Sequence, residues 1–136
     1  MKYVLPLMAA LLGGCSMTSP KPTSADDPVA VVRRQLDAYN RHDLDAFMAT
    51  YAADAKVWRM PGAAPALDGA DAIRAFYRDS RFNVPTLHAE LVARTSLGHK
   101  VVDHERVTGL GATPTEALAV YEVVDGRIAT VWLFKP

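Results

Sequence analysis

The sequence predicts an α+β domain in which three helices pack on a curved antiparallel sheet. Three observations lead there. From Asp27 to Ser80, apolar residues recur mostly at three- and four-residue intervals; after Pro85 the interval drops to two; and no helical segment separates the four strand-like runs that follow.

The first helix starts at Asp27-Pro28, where a side-chain oxygen can cap free amides and the proline ring already has a helical φ. Val29, Val32, Leu36 and Tyr39 form its stripe. "NRHD" interrupts the pattern, Asp43 can cap again, and Leu44, Phe47, Met48 and Tyr51 give a second helix. "AKVWRM" reads as a short strand closed by "PGAAPALDG", a loop too rich in Pro and Gly to continue a ladder. Asp68 or Asp71 is then positioned to cap a third helix with Ile73, Phe76, Tyr77 and Ser80 inward. Arg74, Arg78 and Arg81 fall on another stripe, read as a solvated face because the chain is balanced in charge. The strand-like runs are "LHAELVAR", "KVVDHERVTG", "EALAVYEVV" and "RIATVWLF", and Asp125-Gly126 marks a hairpin tip between the last two.

The chain has 136 residues, 50% hydrophobic and 22% charged, enough for one modest core. Lys plus Arg and Asp plus Glu each number 15, without a long block of one sign, which gives no support for nucleic acid as partner. The four histidines, at 42, 88, 99 and 104, lack paired metal-ligand spacing, and phosphate loops and dinucleotide fingerprints are missing, so neither metal nor cofactor is expected.

Residues 1–14 carry Lys2 and then an apolar run of signal-peptide length, short of the roughly 20 residues needed to span a bilayer. The run ends in "LLGGC", which resembles a bacterial lipobox. That resemblance makes Cys15, the only cysteine, the lipid-carrying first residue of the mature protein. Residues 15–26, rich in Ser, Thr and Pro, read as a flexible tether, and the folded domain is 27–136. The expected location is the bacterial envelope, on the periplasmic face of the outer membrane, given Ser16 after the cysteine.

"AYNRHDLDAFMATYAADAKVW", "GADAIRAFY" and "YEVVDGRIATVW" resemble the nuclear transport factor 2-like superfamily, and within it the SnoaL-like and ketosteroid-isomerase-like proteins. The resemblance covers the domain from about Asp27 to Phe134. It implies a cone, with helices closing the concave side of a bent sheet around a pocket, and often a homodimer through the outer face. The steroid isomerases' catalytic tyrosine, base aspartate and oxyanion-hole aspartate correspond to Gln35, Arg59 and Ala119 here. Arginine stays protonated and cannot act as base, so steroid isomerisation in that form is not expected. The supporting tyrosine of the third helix is kept as Tyr77.

Two-residue alternation puts His88, Glu90 and Arg94 on one strand face. It puts Asp103 and Glu105 opposite to His104 and Arg106, with the carboxylates favoured on the pocket side. Asp103, Glu105, His104 and His88 are therefore the acid-base candidates, weighed against an outer ion-pair ladder. Trp58, Phe76, Tyr77, Tyr121 and Trp132 are the candidate pocket wall. The leading reading is a lipid-anchored pocket for a small, mostly apolar ligand. The alternatives are an isomerase, dehydratase or cyclase using those strand residues, and a non-catalytic interaction module.

Overall fold

A computed structural model describes residues 27–136; the signal, lipid and tether readings on residues 1–26 lie outside the described residues. Helix α1 (Pro28–Asn40) is capped by the Asp27 carboxylate, which accepts from the Val29 amide, and buries Val31, Val32, Gln35, Leu36 and Ala38. Helix α2 (Leu44–Met48) is capped by Asp43, which accepts from the Ala46 amide at 3.0 Å. It stops before Tyr51, which begins strand β1 (Tyr51–Arg59) instead of completing the helix. Tyr51 satisfies both patterns, being three residues past Met48 and on the same buried face as Ala55 and Val57.

After the two-residue strand β2 (Leu67–Asp68), helix α3 (Ala70–Ser80) begins at Gly69 without a side-chain cap. Neither expected aspartate caps it: Asp68 is held by Lys56 of β1, and Asp71 sits inside the first turn, where its charge favours the helix N-terminus. The meander follows as β3 (His88–Leu97), β4 (Lys100–Thr108), β5 (Thr115–Val124) and β6 (Arg127–Phe134). Asp125 and Gly126, at φ 50° and 72°, both take the left-handed conformation that a tight hairpin requires.

The sheet order is β2-β1-β6-β5-β4-β3. The four long C-terminal strands are antiparallel, but β1 joins β6 in parallel, so the complete six-stranded sheet is mixed. Register shifts in the β1–β6, β3–β4 and β5–β6 pairs mark bulges or irregularities, which bend and twist a sheet. Phe47, Ile73, Ile128, Val31 and Val101, all fully buried, fill the space between helices and concave face. The free edge at β3 is pinned to the helices. Asn40 donates to the Ala89 carbonyl and accepts from its amide, and the His42 ring bonds the Leu87 carbonyl.

Candidate ligand pocket

The concave side is not completely filled: a cavity of about 760 Å³ remains between the helices and the sheet. Gln35, Leu36 and Tyr39 of α1 and Phe76, Tyr77 and Ser80 of α3 close one side. Val57 and Arg59 of β1, Glu105 and Val107 of β4, Tyr121 of β5, and Val131 and Leu133 of β6 form the other. These alternate residues are the inward set of each strand.

Among the candidate wall residues, Phe76, Tyr77 and Tyr121 line the cavity. Trp58 and Trp132 do not. They are Cα partners on β1 and β6, one residue out of phase with the inward Val57 and Val131, and therefore face the outer side, where Trp132 packs near Lys100. Alternation separates the two sets but does not say which is inside.

Among the acid-base candidates, Glu105 lines the cavity, and Asp103 is fully buried on the same strand face beneath it. His104 and His88 are away from the cavity. His104 bonds Glu116 across the β4–β5 pair, and Arg106 bridges Glu116 at 2.8 Å and Glu90 at 3.3 Å, an ion-pair ladder along the outer face. His88 pairs with Thr108 at the exposed start of β3. Arg94 is not on that face with His88 and Glu90. The register shift between Leu91 and Ala93 turns it inward, where it holds Asp103 with two hydrogen bonds.

Burial pushes the Glu105 carboxyl up to about 7, and the neighbouring Asp103 charge adds to the effect. The Tyr121 hydroxyl, which donates to its Oε1 at 3.4 Å, and the Arg94 charge act in the opposite direction. Tyr77 is pushed up to about 12, first by burial and then by Glu105. Burial also raises Tyr39, Tyr51 and Tyr121, so all four phenols stay protonated donors at neutral pH. Tyr77 is held by ring contacts, 4.4 Å to Phe47 and 6.1 Å to Tyr39 between centroids. Among the described residues, neither its hydroxyl nor that of Tyr39 has a hydrogen-bond partner.

Sequence reasoning missed two tyrosines and one amide role. Tyr39 was read as part of a core stripe and Tyr51 as a helical residue, yet both line the cavity. The Gln35 Nε2 donates to the Tyr51 hydroxyl at 3.2 Å, and its buried Oε1 has no partner. A buried acceptor left open beside a cavity is suited to a ligand donor. The sequence signals for it were a polar residue on an otherwise apolar helix stripe and its correspondence to the catalytic tyrosine of the steroid isomerases. The described residues contain no group of three His, Cys, Asp or Glu able to hold a metal ion.

A model of the SnoaL-like domain matches residues 32–131. Comparison with curated proteins gives no match. Among solved structures, a candidate polyketide cyclase from Sinorhizobium meliloti is 28% identical with a TM-score of 0.67, covering 82% of this chain and 98% of its own. A SnoaL-like protein of unknown function from Burkholderia thailandensis is 25% identical with a TM-score of 0.68, over 80% and 93%. A candidate ketosteroid isomerase from Kribbella flavida shares the fold at 20% identity, with a TM-score of 0.70 over 83% and 78%. With the family model matching most of the folded domain and the cone present around its pocket, this chain belongs to the SnoaL-like domain family.

Proposed function

We propose that the cavity takes a small, mostly apolar carbonyl compound and that Glu105 moves a proton at the carbon beside the carbonyl, the first step of isomerase- or cyclase-type chemistry. The observation that carries this reading is a carboxyl of pKa about 7 opening into an apolar, tyrosine-lined cavity. At neutral pH such a group is present in both forms, as proton transfer in both directions requires. The Glu105 carboxylate accepts the proton, the C–H electron pair forms the enolate C=C bond, and the carbonyl π pair moves to oxygen. The hydroxyls of Tyr39 and Tyr77 are available to hold that oxygen. Protonated Glu105 then returns the proton to the same or a conjugated carbon. The names of two structural relatives, a candidate cyclase and a candidate isomerase, support the same chemistry. It differs from the steroid isomerase pattern in its base, which comes from β4, while an arginine stands at the position corresponding to the isomerase aspartate.

The test is solvent deuterium uptake at the α-carbon of 2-decanone, followed by NMR. The full chain should accelerate uptake with a rate rising through pH about 7, and Glu105→Gln should lower it by about 10²- to 10⁴-fold. Uptake equal in the two proteins defeats the proposal.

We further propose that the mature chain begins at a lipid-modified Cys15 and that residues 15–26 tether the domain to a bacterial envelope membrane. The support is the apolar run ending in "LLGGC". Labelled palmitate should enter the wild-type chain and not Cys15→Ala; equal labelling rejects the anchor.

A further inference from the structure

The cavity mouth carries a positive charge that the proton-transfer reading does not use. Arg59, at the end of β1, and Arg81, at the C-terminal cap of α3, both stack on the Phe76 ring, with their guanidinium carbons 5.1 and 4.7 Å from its centroid. Lys135 also lines the cavity, two residues beyond Leu133, the Cα partner of Arg59 on the neighbouring strand. Among the described residues, none of the three has a carboxylate within ion-pair distance, and Arg81 makes one bond to the Ser80 carbonyl. Arg74, Arg78 and Arg106, which do not line the cavity, each hold a carboxylate. The lining as a whole has three basic side chains and one acid, Glu105. Glu105 interacts electrostatically with Tyr77, and so do Arg81 and Arg59.

Stacking through the ring face leaves the guanidinium edges, with their N–H donors, free for an anion. Behind them the wall is apolar, with Leu36, Val57, Val131 and Leu133, and ends at the polar positions Gln35 and Glu105. We infer that the ligand is an amphipathic anion, with its carboxylate or phosphate at Arg59 and Arg81 and its apolar body in the cavity beside Glu105. This deepens the proposed function and rests on it only in taking the cavity as the ligand site.

The test is calorimetric titration of the purified full chain with decanoate, decyl phosphate and decanol, which share one apolar tail. Both anions should bind at least about tenfold more tightly than decanol, as charge-assisted pairing to arginine gives. The better of the two anions identifies the headgroup. The preference should shrink as salt rises, because the mouth is open to solvent. It should fall to near unity in the Arg59→Gln/Arg81→Gln variant and persist in Arg74→Gln, whose guanidinium holds Asp45 and does not line the cavity. Equal affinity of the three compounds, no binding of any, or a salt-independent preference overturns the inference, and none of these three measurements needs a variant. A preference for the anions in a wild type that shows no ketone exchange supports the anion site and defeats the proton-transfer reading alone.

Discussion

Arg94 holds both oxygens of Asp103, Nε to Oδ1 at 2.6 Å and Nη2 to Oδ2 at 2.7 Å, although plain alternation from the start of β3 puts Arg94 on the opposite side of the sheet. The bulge before it reverses its face, and the Asp103 carboxylate, with no exposed surface, gains its only charged partner among the described residues. A buried charge that loses its partner is far more costly than the pair is stabilising. Arg94→Met should therefore lower stability by about 3–5 kcal/mol, measured by urea unfolding. Arg94→Met with Asp103→Leu should recover much of the loss; a single variant that loses almost nothing would mean that the carboxylate reaches water.

Glu105 makes stability fall with rising pH. Its folded pKa of about 7 lies above the ordinary 4.5, so the folded state binds its proton more tightly than the unfolded chain does. Its contribution is full below the ordinary value and is lost as pH rises through about 7. Glu105→Gln should therefore be more stable than the wild type at pH about 8.5, by on the order of 2–3 kcal/mol, with the gain absent near pH 4. A gain independent of pH would show that the carboxyl is not desolvated.

The Gln35–Tyr51 pair should respond unequally to its two simplest changes. Tyr51→Phe removes the acceptor of the Gln35 amide and leaves both polar ends of that side chain buried without partners, which costs about 1–3 kcal/mol. Gln35→Met removes the unsatisfied oxygen together with the bond and leaves only the Tyr51 hydroxyl, which lines the cavity, without a partner, so it should cost less than Tyr51→Phe. Thermal unfolding of both variants reads the difference, and a larger loss in Gln35→Met would mean that the amide is satisfied.

Gly109 follows the last residue of β4 and lines the cavity with φ at 90°, and a methyl group there would lie 2.3 Å from the Thr86 carbonyl oxygen. That oxygen belongs to the backbone and cannot move aside cheaply. Gly109→Ala should destabilise by at least about 2 kcal/mol and weaken binding of the anionic probe, while Gly111→Ala, with open space around it, should change neither. Equal melting temperatures for the two variants would show that the rim gives way.

The fold was legible because its signals are local. The change of period after Pro85, the Asp27 and Asp43 caps and the Asp125-Gly126 tip each lie within a few residues of the structure they produce. The parallel pairing of β1 with β6 has no such signal, since Val57 and its partner Val131 are far apart in sequence. In the pocket, Phe76 and Tyr77 could be read from the α3 stripe. Trp58 and Trp132 were placed on the wrong side because each neighbours an apolar inward residue, so two-residue alternation has two equally good phases. The inward turn of Arg94 depends on one extra residue in β3, which no composition rule exposes.

The place of β6 between β1 and β5 has a consequence for how the chain is made. Of the six described strands, β6 is synthesised after the other five and joins the first long strand to the other three, so until it emerges β1 has only the two-residue β2 to pair with among them. The domain should stay open until β6 emerges and close in one late step. Stalled nascent chains ending before Arg127 should be cut by protease throughout the domain, and chains with Phe134 clear of the ribosome should resist. Protection appearing before β6 emerges would mean that the helices and the β3–β5 meander close without it.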